Sequence, residues 1–235
     1  MKKKQLLSSD CLKKVYEIEK EDNFIIEFLT NNPFKKSQKK KFAIRGECNS
    51  ALSEMILEYL ESYHVPTYFV KKLDTKQMKV KKFEPIPIRV LIRNIVAGSL
   101  CDIFAMPEGK QLEYPVIEYY LKNEKLNNPM VNEYHIYALG AATSSEMNSI
   151  ARMSTKINAV MKAFFKRRNL KLVNLKVEFG RIKGKVTVCD EFSIETSSIW
   201  DKQSDERFDA VTIKKSSDSF EQFYKNFMKK LNISK

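Results

Sequence analysis

LVNLKVEFGRIKGKVTVCDEFSIETSSIWD, residues 172–201, is the stretch around which the rest of the sequence is organised. Two apolar-rich runs, 172–179 and 185–189, flank the polar segment Gly180-Arg181-Ile182-Lys183-Gly184. Its glycines supply the positive φ that a tight reversal needs, so the pattern predicts a β-hairpin. On the first strand Lys176 and Glu178 stand two apart and share a face, while Asp190 and Glu191 close the second strand opposite them. One cation and several carboxylates on one sheet surface suit a Mg²⁺ bridging nucleotide phosphates. That ion takes one or two carboxylates plus phosphate oxygens, and a lysine balances the remaining charge. The same pattern also fits an amphipathic hairpin whose charged face is solvated.

Composition narrows the classes. A chain of 235 residues with 43% hydrophobic content has enough material for one large domain or two small ones with a proper core. No apolar run reaches the roughly 18 residues that span a bilayer, and MKKKQLLSSD lacks the apolar stretch of a signal peptide, so a cytoplasmic protein is expected. Cys11, Cys48, Cys101 and Cys189 are scattered, and His64 and His135 are not grouped with them, which argues against a disulfide framework or a zinc site. The net charge of +13 comes mostly from lysines spread along the chain. Arginine, the usual base reader, is scarce, and no basic motif interleaved with aromatics is present, so nucleic acid is not the expected partner. Anionic small substrates would gain equally from a positive field.

Outward from the hairpin, residues 11–18 and 23–28 read as two strands joined by the turn EKED, and 31–41 reads as a polar loop with a lysine cluster. Leu52, Met55, Ile56, Tyr59, Leu60 and Tyr63 repeat at three and four, which predicts a helix beginning after Ser50. Pro85 and Pro87 mark a break between a first and a second domain. From Thr143 to Arg168 a capping box of Thr143 and Glu146 opens a helix with the apolar stripe Met147, Ile150, Ala151, Ile157, Met161, Phe164 and Phe165. Phe220, Phe223, Tyr224, Phe227, Met228 and Leu231 predict a C-terminal helix over 218–231.

VEFGRIKGKVTVCDEFS, residues 177–193, and SSIWDK, residues 197–202, resemble the hairpin and following loop of the SAICAR synthetase family, whose usual form is LEFG..G.....DE.SPD..R.WD. RGECNS at 45–50 is similar to the family's KG..NN, IRNIVAGSL at 92–100 to VRN.AAGSL, and NPMVNE at 128–133 to DP.INE, so the likeness covers nearly the whole chain. It implies an α+β fold. Residues 1–84 would form a small antiparallel β-rich domain that covers the nucleotide, and residues 85–235 a larger ATP-grasp-like α+β domain holding substrate and metal. The implied reaction joins the carboxylate of CAIR, a phosphorylated aminoimidazole ribonucleotide, to the amine of aspartate through an acyl phosphate made with ATP. Carried across by position, Glu178 and Asp190 would hold Mg²⁺, and Lys13 and Lys176 would contact ATP phosphates. Lys82 and Glu84 would line the linker beside adenine, Arg93 and Ser99 would bind the ribonucleotide, and Trp200 and Asp201 would support the loop next to it. Lys176 and Arg93 would be the catalytic pair. ATP, CAIR and aspartate are then the partners, without membrane or nucleic acid, and a homodimer is compatible with the family.

Departures from the family pattern collect at positions that should meet ligands. Of the usual YEGKAK, residues 8–13 keep only Lys13, with Asp10 where a glycine lets backbone approach phosphate and Cys11 beside it. Asn174 replaces an aspartate, Ser198 an arginine and Ile194 a proline, while DAVTIKK at 209–215 lacks the arginines of DKDRFR. Asp102 and Ile103 stand where basic residues are usual. Three readings follow: an active divergent ligase, a non-catalytic nucleotide-binding or regulatory homologue, and a basic nucleic-acid-binding protein.

Overall fold

The computed structural model describes residues 4–19, 21–31, 43–204, 206–215 and 220–232. Its strands are β1 (Lys4–Ser9), β2 (Lys13–Ile18), β3 (Asn23–Phe28), β4 (Phe69–Lys72), β5 (Gln77–Lys81), β6 (Glu84–Ile95), β7 (Gln111–Leu121), β8 (Met130–Val131), β9 (Leu170–Ile182), β10 (Lys185–Val188), β11 (Ser197–Asp201) and β12 (Arg207–Phe208). The helices are α1 (Ala43–Ser62), α2 (Ser99–Phe104), α3 (Glu133–Ala138), α4 (Ser144–Lys166), α5 (Ala210–Lys215) and α6 (Phe220–Lys230). These elements form two compact units: residues 1–83, 191–193 and 211–235, and residues 84–190 and 194–210.

In the first unit an antiparallel sheet runs in the order β1-β2-β3-β5-β4. Alternation along β3 buries Phe24, Ile26 and Phe28, and α1 packs on β3, β4 and β5 through Leu52, Ile56 and Leu60. Arg45 is fully buried in α1, with its guanidinium donating to the carbonyls of Asn31 at 2.8 Å and Cys11 at 2.7 Å. A planar fork on backbone acceptors compensates the cost of burying that charge. The strands β2 and β3 pair as expected, Lys20 of the turn expected between them lies outside the described residues, and β1 adds a strand that the sequence reading lacked.

The second unit holds a sheet in the order β12-β11-β9-β6-β7-β8, with β10 paired to β9. Residues alternate across β9: Val173, Leu175, Val177 and Phe179 are buried to 1% exposure or less, and α4 covers β9, β10 and β6 with Met147, Ile150, Ile157, Met161 and Phe164. The predicted capping box is present, Thr143 Oγ1 accepting from the Glu146 amide at 3.2 Å and Glu146 from the Thr143 amide at 2.8 Å. Arg181 of the hairpin then grips Glu146 at 2.5 Å and Glu84 at 2.8 Å. The Arg181 bonds, with those from Thr143, hold the Glu146 carboxyl down at a pKa of about 2.

The structure changes local expectations at the hairpin and at the start of α1. Reversal of the hairpin rests on Lys183 and Gly184, both at positive φ, whereas Gly180 lies within β9 opposite Thr187. Residues 45–50 belong inside α1, which starts at Ala43 instead of after Ser50. Gly46 permits this: a Cβ there would stand 3.0 Å from the Phe28 carbonyl, so the helix backbone can lie closer to the sheet than any side chain would allow. The first crossing between the two units falls between Phe83 and Glu84, and residues 191–193 and 211–235 belong to the first unit, where α6 packs on α1. The lysine-rich loop expected at 31–41 lies outside the described residues apart from Asn31, as do the first two positions of the helix expected at 218–231.

Candidate active site

Residues paired directly across antiparallel strands point to the same face of a sheet. On β6 and β9 the register sets Arg89 opposite Glu178, Leu91 opposite Lys176, and Arg93 opposite Asn174. β7 adds Tyr120 beside Arg89 and Glu118 beside Leu91, and β11 adds Ser198 beside Asn174. This is the face opposite the Val173, Leu175, Val177 and Phe179 stripe. One side of the sheet is therefore core, and the other is a surface of fixed charges.

Within that surface Arg93 donates through Nε to Glu118 at 3.0 Å and through Nη2 to Ser99 Oγ at 3.1 Å. The Arg93 and Glu118 side chains are 9% and 7% exposed, so the pair holds the arginine fork in one orientation. Tyr120 donates to the same Glu118 at 2.8 Å, and burial followed by that bond raises the phenol's pKa. Ser99 opens α2, and its neighbour Gly98 lies at φ 57°, a conformation suited to glycine. The Arg93 and Ser99 expected to act together are thus in contact.

The Glu178 carboxylate carries two cations. Arg89 approaches Oε1 with Nε at 2.8 Å and Nη2 at 2.7 Å, and Lys122 donates to Oε2. Asp190 is buried just beyond β10, where the Cys189 amide donates to the Glu178 carbonyl at 3.1 Å. Among the described residues no group of three or more His, Cys, Asp or Glu side chains is arranged to hold a metal. The residues present do not fit Glu178 as a direct Mg²⁺ ligand, since both of its oxygens already accept from cations. Lys176 lies between Asn174 and Glu178 on this face, and its amide donates to the Thr196 carbonyl at 2.9 Å, which ties Thr196 to β9.

The departures acquire local explanations. Ser198 and Asn174, neutral where the family usually has an arginine and an aspartate, face one another in the ladder, and Ser198 Oγ donates to Asp209 at 3.1 Å. Asp201 Oδ1 accepts from the Gln203 and Ser204 amides, both at 2.8 Å, and the Arg207 guanidinium stacks 4.3 Å from the Trp200 ring centre. Trp200 and Asp201 thus build the turn after β11. In the first unit Lys13 pairs with Glu191, and Ser53 Oγ exchanges hydrogen bonds with the Phe192 backbone at 3.0 and 3.1 Å. Asp10 turns its carboxylate onto the amides of Leu12 and Lys13 at 2.7 and 2.8 Å, so it organises the β1–β2 turn. Lys82 pairs with Glu17 at 2.5 Å, and that bond raises its pKa. Glu84 is held by Arg181. Sequence reasoning missed Arg89, Glu118, Tyr120, Lys122 and Asp209. The spacing of Arg89 four residues before Arg93, which puts both on one face of a strand, was the available signal for the first of them.

Such a face, with cations held ready by carboxylates in an α+β scaffold, defines an anion-handling protein. A family model described as SAICAR synthetase matches residues 9–231. The chain is 36% identical over 232 residues to a phosphoribosylaminoimidazole-succinocarboxamide synthase of Caldanaerobacter subterraneus subsp. tengcongensis, covering 98% of this chain and 99% of that one. It is similar to the Ehrlichia chaffeensis enzyme of that name (TM-score 0.90, 28% identity, covering 98% and 100% of the two chains). It is also similar to a SAICAR synthetase solved in complex with ADP (TM-score 0.89, 30% identity, covering 97% and 98%). The chain belongs to the SAICAR synthetase family.

Proposed function

We propose that this protein is the ATP-dependent ligase that joins CAIR and L-aspartate to give SAICAR, a step of purine biosynthesis. A carboxylate is a poor electrophile, so a CAIR carboxylate oxygen attacks the γ-phosphorus of ATP and ADP departs. The aspartate amine then attacks the acyl carbon, inorganic phosphate leaves, and the amine loses its proton. Catalysis of this type is mainly positioning and charge neutralisation. Arg93 and Ser99 are assigned to the ribonucleotide, with Glu118 fixing the arginine fork. Lys176 is assigned to the transferring phosphoryl group, and Lys13 to nucleotide phosphates. Lys82 and Glu84 are assigned to the linker beside adenine. Mg²⁺, which the resemblance implies, would neutralise phosphate charge. Asp190 is its candidate protein ligand, while both Glu178 oxygens accept from Arg89 and Lys122.

The observation that carries this reading is the Arg93–Ser99–Glu118 network on the same sheet face as Lys176, in a chain whose relatives of this name match it end to end. Incubation with ATP, CAIR and aspartate should yield SAICAR and ADP in equal amounts, with no product when any one substrate is omitted. ADP binding without product under these conditions would favour the non-catalytic reading. Among the described residues no helix is long and apolar enough to cross a membrane.

A further inference from the structure

The pairing at Glu178 is built into the sheet. Arg89 stands directly opposite Glu178 in the β6–β9 ladder, so the backbone register brings guanidinium and carboxylate together before any ligand arrives. Two guanidinium nitrogens share Oε1 and the Lys122 ammonium takes Oε2, which sets two positive charges against one negative. Arginine cannot shed its charge at any ordinary pH. A divalent ion seeking an inner-sphere oxygen of Glu178 would have to displace a cation and then remain beside it, in a partly buried site where Coulomb repulsion is poorly screened.

We propose that Arg89, assisted by Lys122, is the resident cation of Glu178 and excludes a divalent metal from that carboxylate, so the metal of the nucleotide complex is held without Glu178. This rests on the ligase reading above only for the presence of a metal–nucleotide complex. Glu178 acts as the anchor that holds Arg89 and Lys122 where an anionic ligand meets them, and its carboxylate serves as counter-ion in place of metal ligand.

Mn²⁺ titration followed by electron paramagnetic resonance, with and without ADP, tests the assignment on the intact chain. Glu178→Gln should leave Mn²⁺ affinity within about twofold of wild type in both conditions. Arg89→Gln should tighten Mn²⁺ by about tenfold or more, the range that a change in a metal site's surroundings produces, and the gain should vanish in Arg89→Gln/Glu178→Gln. Arg89→Lys, which keeps the charge, should behave as wild type, and thermal melts check that each variant is folded. A tenfold loss of Mn²⁺ affinity in Glu178→Gln alone, or an Arg89→Gln protein that binds no tighter than wild type, would overturn the proposal. Failure of wild type to bind ADP in the same titrations would count against the ligase reading and leave the metal result standing.

Discussion

The two faces of β9 lie a strand's thickness apart and follow opposite rules. Val173, Leu175, Val177 and Phe179 point to the α4 side and are as apolar as a sheet core requires. Asn174, Lys176 and Glu178 point the other way, and two of the chain's departures from the family pattern, Asn174 and Ser198, lie there and on the adjoining β11. A core position is constrained by volume and by the cost of any unpaired polar atom. A ligand face is constrained by charge balance instead, and charge can be rearranged in pairs. Asn174 and Ser198 illustrate this: the usual aspartate and arginine would face each other, and both are neutral here, so the pair loses no net charge.

Val177→Asp should break the comparison most severely. It would set a carboxylate without a partner at a fully buried position, costing more than about 4 kcal/mol, and circular dichroism should find little folded protein. Asn174→Asp, three residues away on the other face, should fold normally.

Glu146→Gln removes an ion pair that serves structure, in contrast to the pairs on the ligand face. The Glu146 pKa is lowered to about 2, so its contribution is fully present above the ordinary carboxylate value near 4.5 and is lost as pH falls from there through about 2. Denaturation midpoints between those values should therefore drop steeply in wild type and stay flatter in Glu146→Gln. With solvent screening of this partly exposed pair, the variant should be less stable at neutral pH by on the order of 1 kcal/mol.

A smaller effect is expected for Ser198→Arg, which returns a cation to the face with Asp209 near enough to pair with it. If the missing arginine limits ribonucleotide binding, KM for CAIR should fall by about tenfold while KM for ATP stays unchanged. An unchanged KM for CAIR would mean that the Asp209 pairing has captured the new side chain. Smaller still, Arg207→Ala should cost roughly 0.5 to 1 kcal/mol in melting experiments through the lost stacking on Trp200, with little effect on turnover.

Features written into neighbouring residues could be read in advance. The hairpin was legible through Gly184 and the flanking apolar runs, and α4 through Thr143, Glu146 and its stripe. Features that depend on partners distant in sequence could not be read. Residues 45–50 read as a motif ahead of the helix, and the close approach of Gly46 to the Phe28 carbonyl that lets them join it is not visible locally; nor does anything in residues 220–231 say that their apolar face packs on α1. Glu178 reads in the sequence as a metal ligand, and its pairing with Arg89 is invisible until β6 and β9 are aligned. Arg93 and Ser99, six residues apart, were legible as a unit and are in contact.

The division of labour between the two faces is tested most directly by one paired measurement, kcat for SAICAR formation and melting temperature in Lys176→Met and Leu175→Ala. Lys176→Met should lose about 10²- to 10³-fold in kcat with the melting temperature of wild type, as expected for a cation aimed at developing phosphoryl charge. Leu175→Ala, a truncation at 1% exposure, should lose about 2 to 5 kcal/mol of stability and keep its turnover at temperatures where it remains folded. A Lys176→Met protein that turns over normally, or a Leu175→Ala protein that melts normally but does not turn over, would contradict the account.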